Sequence, residues 1–125
     1  MARASRGAAV VDFVLVMIVL VPLVLGILQL CLVLYVRDTA AAAASEGARF
    51  GAVQGRTWRD GAARTSAELA GVLGGRYAAG VTARGTTLAG APAVEVDVAV
   101  RVPALGLGGP AIAFTVAGHA VREPG

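Results

Sequence analysis

The residues whose types and spacing could take part in chemistry lie near the N-terminus, where Asp12 directly precedes a long apolar run. A carboxylate at the edge of a membrane helix costs free energy unless it is hydrated or paired. The helix macrodipole favours a negative charge at this end, so an ordinary interfacial position explains Asp12 at least as well as a functional one. Gly7 lies five residues earlier, and a glycine lets another backbone approach closely. The segment around these two residues therefore decides how they are interpreted.

The other residues that could take part in catalysis or ligand binding stand alone. His119 is the only histidine, and its alternation with apolar neighbours predicts that it faces outward beside Thr115. Cys31 is the only cysteine, so no intramolecular disulfide can form. The sequence contains no Gly-rich phosphate loop, no cluster of metal ligands and no nucleophile–base set. We therefore expect neither an enzyme nor a bound cofactor or metal.

Charge and composition argue against nucleic acid as a partner. The chain has 125 residues and a net charge of +3, and all 11 basic residues are arginine. These arginines are scattered along the chain and form no basic patch interleaved with aromatic residues. A hydrophobic content of 57% instead favours a single-pass membrane protein with one small domain.

The apolar run extends from Phe13 to Val36 and contains no charged residue. As a helix it would be about 36 Å long, which is enough to cross a hydrocarbon core of about 30 Å. Pro22 and Gly26 mark a kink or a close-packing point within it. We divide the chain into a basic leader at 1–7, a transmembrane helix at 8–36, a helical extension at 37–54 and a small domain at 55–125.

Orientation follows from the charges on either side of the apolar run. Arg3 and Arg6 precede it, whereas Arg37 follows it and is offset by Asp38. The positive-inside bias therefore favours a cytoplasmic N-terminus and an extracytoplasmic C-terminal domain in the cell membrane.

The segment after the apolar run is rich in alanine and glycine and extends the helix. Small residues recur at helical spacing beside Phe50, namely Ala40, Ala43, Gly47 and Gly51. They predict close packing against a sheet or another helix. Glu46 and Arg49 lie three residues apart and can pair on the surface, although an ordinary solvated helix end explains this segment as well.

The remaining residues predict an α+β domain. A capping-box-like Thr57–Asp60 spacing precedes a helix expected over 59–73, with its inner face formed by Ala62, Ser66, Leu69 and Leu73. Valines alternate with polar residues over 94–102, and a second alternating run covers 112–120. These runs predict an antiparallel hairpin around a turn at 103–110, with a weaker strand within 77–88 and the alanine-rich helix as cover. Trp58 is expected to dock on this domain or at the membrane surface.

The N-terminal half resembles the TadE-like family of pseudopilins from the tight-adherence (Tad/Flp) pilus machinery. Members of that family have a basic leader, a glycine or small residue, an acid–aromatic pair and a long apolar helix that contains a proline. An alanine-rich stretch then ends in Glu-Gly-Ala-Arg. The corresponding elements here are Arg6-Gly7, Asp12-Phe13, Pro22, and Ala40 to Ala44 followed by Glu46-Gly47-Ala48-Arg49. The resemblance covers about residues 6–52, and Asp12 replaces the usual glutamate.

The resemblance implies a structural protein that is processed and then assembled. A prepilin peptidase would cut between Gly7 and Ala8, using Asp12 and Phe13 as recognition elements. The new amine of Ala8 would lie one helical turn from Asp12, within reach for neutralisation inside or between subunits. The implied partners are the peptidase, other pilin or pseudopilin subunits, an inner-membrane assembly platform and the lipid bilayer.

Two other interpretations remain open. The Ala40-Ala-Ala42 sequence could be a signal-peptidase site that releases a secreted domain, although the apolar run is longer than a signal h-region of about 7–15 residues. The chain could also be an unprocessed single-pass anchor that carries an interaction domain. In that case the charge of Asp12 would not matter for assembly.

Overall fold

The computed structural model describes residues 2–103 and 111–124. Its elements are α1 (Ala2–Ala52), α2 (Trp58–Val72), the short α3 (Gly75–Ala78), β1 (Val81–Leu88), β2 (Ala91–Val102) and β3 (Ile112–Val121). The three strands form one antiparallel sheet in the order β1-β2-β3. The predicted α+β class, the hairpin and the additional strand are therefore confirmed, whereas residues 104–110 of the predicted turn lie outside the described residues.

Helix α1 dominates the molecule and is 51 residues long, which corresponds to about 76 Å. It continues without a break through Pro22. Its most apolar window has a mean hydropathy of 2.9, and none of that window is buried by the rest of the chain. By length and composition this part of α1 can cross a membrane.

The second half of α1 covers the sheet, as the alanine-rich sequence predicts. Small side chains of the helix pack against the valines of β2 to form the core, which includes Ala40, Ala44, Ala48, Val94, Val96 and Val98. Gly118 of β3 allows this close approach, because a Cβ atom there would collide with the backbone of Ala44 and Ser45. The centre of the core is thus an alanine surface of α1 against a valine surface of β2, and Val36 and Leu69 extend it.

Helix α2 begins as predicted, with a capping box in which Thr57 accepts from the Asp60 N–H and Asp60 accepts from the Thr57 N–H. Its inner face agrees with the prediction at Leu69 and differs from it at the other positions. The buried residues are Gly61, Thr65 and Leu69, whereas Ala62, Ser66 and Leu73 are half-buried.

Close packing of α2 against α1 explains this shift. A Cβ atom at Gly47 would overlap the Thr65 hydroxyl, and one at Gly51 would lie 3.2 Å from the Gly61 Cα. The Thr65 hydroxyl donates to the carbonyl groups of Ala43 and Gly61, at 3.2 and 3.0 Å. Small residues and a satisfied hydroxyl therefore form the contact, and hydrophobicity alone did not indicate that face.

Candidate functional site

The predicted processing residues lie together at the free end of α1. Gly7, Ala8, Asp12 and Phe13 are all helical and exposed. Apart from the neighbouring backbone of its own helix, no described atom lies within 4 Å of the position that a Cβ of Gly7 would occupy. Ala8 and Asp12 are one turn apart on this helix, so a new amine at Ala8 would lie on the same face as the carboxylate. The helix thus places the proposed new amine and the carboxylate on one face.

The apolar surface above the tip is open to neighbours. Val10, Phe13, Ile18 and Val19 are each more than 60% exposed. Space is also free around Gly26. In water this surface would be highly unfavourable, whereas lipid or other apolar helices would satisfy it.

The C-terminal end of the apolar run, up to Val36, packs against the domain. Val36 is only 1% exposed and belongs to the domain core, and Leu32 and Val33 pack against that core. The Gln29 amide donates to the Pro103 carbonyl at 3.2 Å, which ties the end of β2 to the helix. The last two turns of the apolar run therefore contribute to folding of the domain.

The Glu46-Gly47-Ala48-Arg49 motif joins α1 to α2. Glu46 pairs with Arg64 of α2 at 3.0 Å, a partner other than the Arg49 that the spacing offered. Gly47 allows the two helix backbones to approach each other, and Arg49 is exposed. Phe50 receives the guanidinium groups of Arg56 and Arg64 over its ring, at 3.7 and 5.2 Å from the centroid. The motif thus organises the junction between the two helices.

A second carboxylate lies beside this junction. Burial, followed by the negative charge of Glu46, raises the pKa of Glu68 on α2. Its Oε2 atom has no hydrogen-bond partner among the residues that the structure describes. Glu68 lines an open groove of about 410 Å³ with Tyr35, Asp38 and Val72. Sequence analysis did not single out Glu68, because a glutamate in a helix resembles a solvated one.

The outer face of the sheet carries a charged row that crosses all three strands. Arg84, Glu95 and His119 are directly opposite one another in the register. Arg84 donates to Glu95 at 2.8 Å, and His119 Nε2 donates to the other carboxylate oxygen at 2.7 Å. Hydrogen bonds from His119 and then Arg84 lower the pKa of Glu95, despite a side-chain exposure of only 12%. His119 faces outward, as predicted, but pairs with Glu95.

Trp58 docks on the domain, as predicted, with its ring packed over Gly85 of β1. Within residues 2–103 and 111–124, no three His, Cys, Asp or Glu side chains are grouped so that they could hold a metal ion. The N-terminal tip is thus the candidate functional site.

Comparison with known proteins supports the N-terminal resemblance. The family model described as TadE-like protein matches residues 7–49. This range includes the processing residues, the apolar run and the Glu-Gly-Ala-Arg motif. A search of curated proteins and a search of solved structures each found no match to this chain.

Proposed function

Because the chain carries a TadE-like segment at residues 7–49, we propose that it is a membrane-anchored pseudopilin of a Tad/Flp pilus or a related secretion assembly. TadE-like pilus components are structural proteins, and the chain fits a component associated with that pilus. Its action is assembly: a prepilin peptidase removes the leader, and the mature helix packs with other subunits on an inner-membrane platform. The observation that supports this proposal best is the charged, exposed N-terminal tip of an apolar helix whose C-terminal half packs in the chain's own domain.

Processing after Gly7 is supported by the exposure of the tip. Gly7 is exposed, and no described segment outside its own helix covers the face that a peptidase would approach. Cleavage creates an ammonium group on Ala8, one turn from the Asp12 carboxylate. In an apolar medium such a pair is far more favourable than either charge alone. The cut therefore supplies the cation that Asp12 requires.

The depth of the helix in the bilayer increases the free-energy cost of an Asp12 carboxylate that has no cation beside it. Since Leu32, Val33 and Val36 pack in the domain, we place the outer membrane boundary near residue 28. A helix from residue 8 to residue 28 rises about 30 Å, which equals the hydrocarbon thickness. Asp12 then lies about one turn inside the hydrocarbon rather than at its edge. Arg3 and Arg6 lie on the cytoplasmic side, and the domain rests on the opposite surface.

Release by signal peptidase is less compatible with the fold. A cut after Ala42 would divide α1 within the part that covers the sheet, and Ala43 and Ala44 on the other side of the cut are buried. The released fragment would lack the helical turns that contribute Val36 and Ala40 to the core. The fold therefore favours a helix that remains attached.

Replacing Asp12 by Asn tests the proposed role of the charge. We expect the Asp12→Asn variant to co-isolate with the other pilus subunits more than tenfold less well, because the Ala8 amine of the packed subunits would lose the carboxylate that neutralises it. Asp38→Asn, on the exposed surface of the same helix above the membrane, is the matched control and should co-isolate normally. Equal recovery of the Asp12→Asn variant and the wild type would instead indicate an unprocessed or generic anchor.

A further inference from the structure

One end of the sheet carries an arginine that no described carboxylate neutralises. Arg101 is exposed on the outer face of β2, two residues before Pro103. Arg84 on the same face pairs with Glu95, whereas Arg101 forms no ion pair among the residues that the structure describes. The next charged residue along this face of β2 is Asp97, about 13 Å away along the strand. Arg101 is therefore an isolated cation.

This arginine borders a cavity at the membrane end of the sheet. The cavity, which we call the Arg101 cavity, has a volume of about 320 Å³ and is lined by Tyr77, Ala99, Arg101, Pro103 and Ala111. The Gln29 amide donates to the Pro103 carbonyl at this end, whereas the Glu123 N–H donates to the Ala52 carbonyl at the other end. The Arg101 cavity therefore lies beside the part of α1 that leaves the membrane.

The proposed depth of α1 brings the Arg101 cavity to the level of the lipid headgroups. Gln29 lies one residue above the boundary near residue 28, and Pro103 is bonded to it. Arg101 is two strand residues farther from the bilayer, which is about 7 Å. The headgroup layer is about 5–8 Å thick on each side of the hydrocarbon. Because a long arginine side chain can turn its charged end toward that layer, the guanidinium can reach headgroup phosphates.

The acidic residues nearest the bilayer lie on the opposite side of the domain. Asp38 and Glu68 line the groove between α1 and α2, in the helix layer that covers the inner face of the sheet. The residues beside Arg101 on the outer face are uncharged, since Ala113 is its partner on β3 and Ala99 precedes it on β2. An anionic headgroup at the Arg101 cavity would therefore meet a cation without a neighbouring carboxylate.

We propose that the Arg101 cavity binds the phosphate group of an anionic phospholipid in the extracytoplasmic leaflet, so that this end of the sheet rests on the bilayer. The planar guanidinium group offers paired N–H donors that match the geometry of a phosphate. Tyr77 lies at the level where aromatic side chains favour the membrane interface. This inference rests on the membrane anchoring and depth in the proposed function, but it requires neither cleavage after Gly7 nor assembly with other subunits.

Native mass spectrometry of the detergent-purified full chain, titrated with dioleoylphosphatidylglycerol or dioleoylphosphatidylcholine, tests the lipid preference. The wild type should bind the anionic lipid more tightly than the zwitterionic one. Arg101→Gln should bind the anionic lipid about fivefold more weakly, the factor expected for one arginine at an anionic surface. The matched control Arg59→Gln removes an exposed charge from the first turn of α2, at the far end of the domain, and should bind like the wild type. An equal loss in both variants, or a loss in neither, would overturn the proposal.

Spin labels on the full chain in vesicles test where the sheet lies. Single cysteines, Ala113→Cys or Ala117→Cys, are made in a Cys31→Ala background, and the vesicles contain a lipid with a nickel-chelating headgroup. Ala113 lies opposite Arg101 in the register, and Ala117 lies about 13 Å farther along the same face. The nickel lipid should relax the label at position 113 at least threefold more strongly than the label at position 117.

A label at Val24→Cys in the same background separates the two levels of the account. If it is protected from an aqueous nickel complex while positions 113 and 117 relax equally, the headgroup contact is overturned and the membrane span stands. If the label at position 24 is itself exposed to the aqueous complex, the span in the proposed function fails, and the lipid site fails with it.

Protection at position 24 together with stronger relaxation at position 113 supports both.

Discussion

The ionisation of Asp97 makes the stability of the sheet depend on pH. It lies two residues from Glu95 on the same face, in the row next to Arg84 and His119. Burial, followed by its hydrogen bond and repulsion with Glu95, raises the pKa of Asp97 above its usual value. Glu95 holds the cationic partners, so Asp97 is the carboxyl group for which ionisation is unfavourable.

Replacing Asp97 by Asn should therefore stabilise the domain near neutral pH. An acid with a raised folded-state pKa loses stability as pH rises from its unfolded pKa of about 3.9 through the folded value. We expect Asp97→Asn to be more stable than the wild type by about 1 kcal/mol at pH 7, and the difference should shrink toward pH 4. Thermal unfolding in detergent, followed by the fluorescence of Trp58, measures this difference. A wild type that is the more stable protein at pH 7 would contradict the account.

The charged row also shows what residue patterns can and cannot predict. Alternation in β2 and β3 correctly assigned Glu95 and His119 to the outer face. Their pairing depends on the register between strands, which the alternation leaves free by two-residue steps. Glu68 was missed for a similar reason, because only the crossing of α2 over α1 places it beside Glu46.

At the scale of elements, α1 serves two environments with one continuous helix. The run that begins at Phe13 is apolar on all sides of the helix. The C-terminal half of α1 presents alanines to the sheet and glycines to α2. Composition predicted both halves, because alanine and leucine are strong helix formers and the apolar run has the length of a membrane span. The inner face of α2 could not be predicted from hydrophobicity, since Gly61 and Thr65 are buried for their small size and their hydrogen bonding.

The contact between α1 and β3 should be sensitive to a single methyl group. At Gly118 a Cβ atom would collide with the backbone of Ala44 and Ser45, which cannot move without displacing the helix. We expect Gly118→Ala to destabilise the domain by about 1–3 kcal/mol, measured by thermal unfolding.

Gly71→Ala is the matched control for this prediction. Gly71 lies within α2, and apart from the neighbouring backbone of that helix no described atom comes within 4 Å of the position that a Cβ atom would occupy there. Alanine at this position should therefore be neutral or stabilising by up to about 1 kcal/mol. Similar unfolding temperatures for Gly118→Ala and Gly71→Ala would show that α1 does not pack on the sheet as described.

For the whole molecule, the central question is how deeply the helix lies in the bilayer. The proposed outer boundary near residue 28 rests on the packing of Leu32, Val33 and Val36 in the domain. If the span instead ended at Val36, Cys31 would lie about 7 Å inside the hydrocarbon. A boundary near residue 28 leaves Cys31 accessible to water, whereas a boundary at Val36 places it in the hydrocarbon. The Cys31 side chain is exposed on the helix surface.

We expect Cys31 to react with a membrane-impermeant maleimide that is added from the extracytoplasmic side. The control moves the single thiol to the middle of the span, as Val24→Cys in a Cys31→Ala background, and should react at least tenfold more slowly because thiolate formation needs water. Labelling only from the cytoplasmic side would reverse the proposed orientation. Equal protection of both positions would place the boundary above Cys31.

The intact mass of the membrane-extracted chain, produced with and without a prepilin peptidase, tests the pseudopilin proposal most directly. With the peptidase we expect a chain that has lost residues 1–7 and begins at Ala8. Without it the leader should remain attached. A chain that keeps Gly7 in the presence of an active peptidase, or one that begins near Ala43, would contradict the proposal.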